Sequence, residues 1–127
     1  MADRSSAPKA IDLSEKLASF SDHWHPRIVA GYNGNDVRVS KLKGDFVWHS
    51  HAETDELFLV IEGQLKIEFR DGITRLLNAG DMLVVPNGVE HRPFCEKECQ
   101  VLVMDKEGEP TTGGIDSELR RDRLEQI

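Results

Sequence analysis

The chain has 127 residues, a formal net charge of −7, 39% apolar and 31% charged residues, a balance that suits one folded domain with a single core and excludes a disordered acidic chain. Lys and Arg are scattered with no basic run, which argues against a nucleic-acid partner. The longest aliphatic and aromatic run, Leu57 to Ile61, is too short to cross a bilayer, and the opening MADRSSAPKA has no signal-like apolar stretch, so a cytoplasmic protein with no membrane partner is expected.

Residues 1–10 carry no pattern and read as a flexible arm. Asp12 can cap a helix, with Glu15 three residues on, and Leu13, Leu17 and Phe20 fall on one side. The spacing predicts one short helix over roughly 13–20. The stretch SDHWHP follows, with a first His-x-His pair, His23 and His25. Pro26 restricts the backbone of His25 and removes a strand donor, and no partner carboxylate or Cys follows at ligand spacing. The segment is expected to lead into the body of the domain, with Trp24 packing as an anchor.

From Arg27 the pattern changes to short strands with turn punctuation. RIVAGY runs to the hairpin signal Asn33-Gly34, and DVRVSKL returns to Gly44. FVWHSH comes next, then the polar loop AETD, then ELFLVIEG, which is apolar on both faces and reads as a central strand. QLKIEFR alternates cleanly and turns at Asp71-Gly72 into ITRLL. DMLVVP ends at a Pro86-Asn87-Gly88 corner, and VEHRPFC and QVLVMD complete the set. Between the last two, Glu96-Lys97-Glu98 looks like a hairpin turn, which would let Cys95 and Cys99 face each other across a strand pair as buried small residues. Roughly eight or nine short strands of this kind point to an all-β sandwich or barrel over 11–106. The tail, 107–127, turns to Gly, Glu, Pro and Thr and is expected to form a weak helix or to remain disordered.

The chemistry concentrates in the second His-x-His pair. His49 and His51 alternate on an expected strand and share one face. Glu56 opens the next strand at the head of a row, Phe58 and Val60, that looks buried. A buried carboxylate is costly unless it is paired or holds a cation. His91 follows the Pro-Asn-Gly corner. Three imidazoles and one carboxylate suit one divalent transition metal: Fe, Mn, Ni, Zn, Co or Cu. Phe46, Phe58, Val60, Met82, Val84 and Phe94 are candidates to line a small-molecule pocket beside them. Glu53 and Asp55 read as solvated loop charges, and Arg92 alternates away from the ligand face. Nothing places Tyr32 near the site.

These residues resemble the cupins. GDFVWHSHAETDELFLVIEG, from Gly44 to Gly63, follows their first motif with the Gly44 to His49 gap one residue short; GDMLVVPNGVEHRPFC, from Gly80 to Cys95, follows the second, with Cys95 where the pattern has Asn. The resemblance covers residues 37–105 and is similar in kind to small single-domain bacterial cupins of the phosphomannose-isomerase-like type. It implies a double-stranded β-helix, a jelly-roll barrel, with metal ligands at His49, His51, Glu56 and His91. It implies a metal-dependent enzyme of isomerase, lyase or dioxygenase type acting on a small oxygen-rich molecule, or alternatively a non-catalytic module that binds a metal and a small metabolite. A homodimer is the expected assembly, with the outer apolar residues Leu57, Leu59 and Ile61 as a surface for it.

Overall fold

The computed structural model describes residues 6–127, so residues 1–5 of the expected arm lie outside the described residues; 6–10 are exposed and without regular structure. Helix α1 (Leu13–Ala18) is capped by Asp12, whose carboxylate accepts from the Glu15 N–H, and it buries Leu17. It is shorter than the expected helix because Ser19 caps its end, its N–H donating to the Lys16 carbonyl, and leaves Phe20 outside.

Seven strands follow: β1 (Arg27–Tyr32), β2 (Asn35–Asp45), β3 (Glu56–Glu62), β4 (Gln64–Phe69), β5 (Thr74–Asn78), β6 (Met82–Val85) and β7 (His91–Lys106). All pair antiparallel, in the order β1-β2-β7-β3-β6, with β4 joining β7 to β5. The chain is therefore all-β and wraps into a jelly-roll barrel. No helix among the described residues is long and apolar enough to cross a membrane.

Strand β7 holds the barrel together. Its first part, His91 to Phe94, pairs β4, and its second part, Gln100 to Met104, pairs β3. Strand β2 runs along both parts. The expected turn at Glu96-Lys97-Glu98 does not form; β7 continues through it as a bulge, with Cys95 opposite Gly44 and Cys99 opposite Leu42. Exposed charges in a short polar run look like a turn in sequence, but here they bulge outward and re-aim the strand from one layer to the other. Cys95 and Cys99 flank the bulge, buried, with sulfurs 3.6 Å apart. The hydrogen bond from Cys99 holds the Cys95 thiol below its ordinary range. Cys99 sits so close to Gly63 that a Cβ there would lie 3.0 Å from the Cys99 Cβ, and Gly63 has φ +85; glycine is required at that turn.

Alternation sets the faces. In β3, Glu56, Phe58 and Val60 point inward and Leu57, Leu59 and Ile61 outward. Phe58 and Val60 join Trp24, Leu42, Phe46, Leu65, Ile67, Val85, Val101 and Val103 in one core. Strand β6 corrects the pocket expected around Met82 and Val84. In register, Phe58 faces Leu83 and Glu56 faces Val85, so Leu83 and Val85 turn inward. Met82 and Val84 are 61% and 48% exposed on the outside.

The tail also departs from expectation. It forms no helix. Turns carry it across the barrel, Thr112 is fully buried, Leu119 packs on the core, and Gln126 bridges Ile28 in parallel.

Candidate metal centre

Three backbone ties position the candidate ligand residues. His49 lies outside the regular strands but forms a reciprocal pair with His91: the His49 N–H donates to the His91 carbonyl at 3.1 Å and the His91 N–H to the His49 carbonyl at 2.9 Å. The Gly88 N–H donates to the His51 carbonyl at 2.9 Å. Asp55 accepts from the backbone and side-chain N–H groups of Asn87. Asp55 thus ties the two loops that carry the histidines, a structural role.

The four residues converge. One potential ligand atom from each of His49, His51, Glu56 and His91 lies within 4.8 Å of all the others, and all four residues are buried. The orientation of each ring is fixed from behind. His49 Nδ1 is 2.9 Å from the Val47 carbonyl and His91 Nδ1 is 2.9 Å from the Val89 carbonyl. Carbonyl oxygens only accept, so both Nδ1 atoms carry a proton and each ring turns its Nε2 to the centre. His51 Nδ1 donates to Glu109 at 2.9 Å. This is the arrangement in which outer hydrogen bonds set the tautomer and aim of metal-binding imidazoles.

Glu56 sits among the rings. Its carboxylate is 3.0 Å from His91 Nε2 and 3.3 Å from His51 Nε2. His51 Nε2 is buried without a well-aligned hydrogen-bond partner among the described residues. Burial, with His91 nearby, pushes the His49 imidazole down to about 4. Burial would also lower His51, but Glu56 beside it wins and raises it to about 9. Burial opposes ionisation of Glu56, yet the His51 and His91 imidazoles beside it hold it well below its usual range. Without a cation, protons hold this carboxylate and these rings together; the same donor set suits a divalent transition metal.

A cavity with an empty volume of about 460 Å³, in part open to solvent, adjoins the cluster and is lined by His49, Glu56, Trp24, Phe46, Phe58 and Pro93 among others. Of the six expected pocket residues, Phe46 and Phe58 line it and Val60 is core. Met82 and Val84 are outside. So is Phe94, whose ring carries Arg92 at 4.7 Å and Lys66 at 5.9 Å, while its neighbour Pro93 faces in. Arg92 pairs with Glu68 and Asp45, away from the cluster. Tyr32 is exposed at the β1–β2 hairpin. Four residues join the site that sequence reasoning passed over: Arg38, Ser40, Asp105 and Glu109. The first three stand on the inward parity of β2 and β7, and a polar residue at such a position is the signal that was available. Asp105 is held well above its usual range by burial and by Glu56.

The other histidine pair is elsewhere. His23 pairs with Glu98 at 2.7 Å and His25 with Asp22 at 2.9 Å, both at the surface. Between them Trp24 is buried, stacks on Phe46 at 4.8 Å, and donates its indole N–H to the Lys43 carbonyl at 2.8 Å.

Known proteins agree with this architecture. Residues 37–105 match the cupin domain family. The uncharacterized protein YdbB of Bacillus subtilis is 40% identical over 83 residues, covering 65% of this chain and 67% of that protein. A cupin-2 domain protein of Shewanella frigidimarina is 44% identical with a TM-score of 0.74, over 76% of this chain and 93% of that one. Protein NMB1881 of Neisseria meningitidis is 33% identical with a TM-score of 0.72, over 77% and 99%. With the barrel, both motifs and a family match across more than half its length, the chain belongs to the cupin domain family.

Proposed function

We propose that this chain is a metal-dependent enzyme in which His49, His51, Glu56 and His91 hold one divalent transition metal, Fe, Mn, Ni, Zn or Cu, and a small oxygen-bearing organic molecule is activated beside it by isomerase, lyase or dioxygenase type chemistry. The observation that carries this reading is the set of three imidazoles, each engaged at Nδ1, with their Nε2 atoms gathered on one carboxylate within 4.8 Å. When bound, such an ion supplies Lewis acidity at a substrate oxygen or, if it is iron, a place for dioxygen. The residues do the rest. His49 and Glu56 line the cavity, so a ligand there meets the metal-binding face directly. Trp24, Phe46 and Phe58 give that ligand an apolar bed and keep bulk water from it.

The test is metal analysis of protein purified without added metal and again after reconstitution, with His49→Ala as control. One ion in the wild type and none in the variant is expected; no ion in either, after reconstitution, would sink the proposal.

We also infer a homodimer. Leu57 and Leu59 lie in register with the exposed Val84 and Met82 across β3 and β6, an apolar strip on the outer face. Light scattering on the eluting protein should give twice the chain mass, and a monomer would refute the dimer without touching the metal centre.

A further inference from the structure

Strand β2 sends two polar side chains, Arg38 and Ser40, into the wall of the cavity that His49 and Glu56 also line. They are 2% and 1% exposed. Arg38 is held rigidly: Nη2 donates to Asp36 and to the Glu109 carbonyl, each at 3.0 Å, and Nη1 to Asp105 at 3.3 Å. Those contacts use two of its three nitrogens. Its Nε has no partner among the described residues, and neither have Ser40 Oγ and Asp105 Oδ1. A buried polar group left unpaired costs about 1–3 kcal/mol, so three on one cavity wall call for a ligand that satisfies them.

The lining narrows the class of that ligand. Asp36 pairs with the Arg38 guanidinium at 3.0 Å, so the charge is already compensated and this wall does not select a free anion. It offers the Arg38 Nε donor and the Ser40 hydroxyl, which both donates and accepts, with one carboxyl oxygen of Asp105 beside them. Most of the remaining lining is apolar, with Leu42, Phe46, Phe58 and Val103. A polyol with oxygens all round would leave its hydroxyls unpaired there.

We propose that Arg38 Nε and Ser40 Oγ form a subsite that recognises one uncharged oxygen, a hydroxyl or carbonyl, on a small and otherwise largely apolar molecule whose other end meets the metal centre. This rests on the metal reading of His49, His51, Glu56 and His91 and narrows its ligand class. Arg38 acts by binding, with its position fixed by the two aspartates and the tail carbonyl. A site built to hydrogen-bond an oxygen discriminates strongly against the analogue lacking it, because the wall then stays unpaired.

The test uses the full chain reconstituted with zinc and two probe pairs that differ by one hydroxyl: 4-hydroxybutyrate against butyrate, and 3-hydroxybenzoate against benzoate. Calorimetry should show at least one hydroxylated probe binding about tenfold tighter than its parent. In Ser40→Ala that preference should fall below about twofold with the parent acid's affinity unchanged. Ser40→Ala removes an oxygen that makes no bond within the protein, so folding should be intact. Arg38→Lys keeps a cation between the aspartates but loses the planar Nε donor, and should do the same. Equal affinities within both pairs, no probe binding, or a preference that survives Ser40→Ala would overturn the subsite. Zinc content of the same samples separates the two levels: full loading without discrimination leaves the metal centre standing and removes the subsite, whereas no loading removes both.

Discussion

His23-Trp24-His25 and His49-Ser50-His51 are the same local pattern with opposite fates. In the first, the residue between the histidines is buried and the imidazoles face water, each against one carboxylate at the surface. In the second, both imidazoles are buried and the chain around them is tied down from three directions: His91 across the isolated bridge, Gly88 on the His51 carbonyl, and Glu109 on the His51 ring. A His-x-His is thus only a spacing. What makes a centre of it is a set of partners distant in sequence that fix ring orientation and exclude water.

The sharpest way to break the contrast is to delete a ring from each pair. His51→Ala or His91→Ala should abolish metal retention after desalting. The double variant His23→Ala with His25→Ala should retain one ion and lose less than about 1 kcal/mol of stability, since exposed ion pairs contribute little. Metal analysis and thermal melts read both. Loss of metal in the surface variant would contradict the division of roles.

Trp24 is the anchor expected of its segment. It is 8% exposed, stacked on Phe46, and its backbone N–H donates to the Lys41 carbonyl at 3.0 Å. It also holds φ at +56, unfavourable for a bulky residue, so the packing must offset that cost. Trp24→Ala should destabilise by about 3–5 kcal/mol, measured by urea unfolding, and widen the cavity it lines. A change below about 1 kcal/mol would show that the entry segment is not an anchor.

How much of this was readable follows from the range of the interactions. Phe58 and Val60 were legible as a buried row because β3 alternates against one core. His49, His51, Glu56 and His91 were legible because their spacing around turns is local. Strand β6 was not: Met82 to Val85 is apolar on both faces, so periodicity leaves the parity open, and only the pairing of Phe58 with Leu83 decides it. Glu96-Lys97-Glu98 has the composition of a turn but is a bulge, which takes the partner strand to see. The tail was the least legible, because its polar composition hides long-range packing. Gly113, at φ +62, lies against the ligand loop so closely that a Cβ would fall 1.8 Å from the Ser50 carbonyl oxygen, and Glu109 reaches His51 from 58 residues away.

That last contact gives a finer test of what separates the two pairs. Glu109→Ala frees His51 Nδ1 and releases the ring. Metal affinity should fall by about 10–100-fold, the usual cost of removing an outer hydrogen bond to a ligand. Glu109→Gln keeps an acceptor and should recover part of the loss. Competition with a coloured chelator measures both. Unchanged affinity in Glu109→Ala would mean that the loop ties alone suffice.

The smallest effect is in pH. His51 rises to about 9 in the folded chain from an ordinary value near 6.5, so between those values the metal-free fold holds a proton that the unfolded chain has released. Stability that is fully present below pH 6.5 is therefore lost as pH rises toward 9. Asp105, also raised by burial and Glu56, acts in the same direction from the acid side upward. His49 works the other way, but only between 4 and 6.5, where the unfolded chain takes up the proton that the buried ring refuses. In the alkaline window His51 contributes a slope of at most about 1.4 kcal/mol per pH unit, opposed by Cys95, whose lowered thiol gives up its proton earlier in the fold than in the unfolded chain. A bound metal requires His51 Nε2 to be free of its proton, so in the metal-loaded protein that slope should flatten while metal affinity climbs with pH across the same window. Melts of the two forms from pH 6.5 to 9 check it: parallel curves would mean that the proton on His51 and the metal do not compete for the same atom.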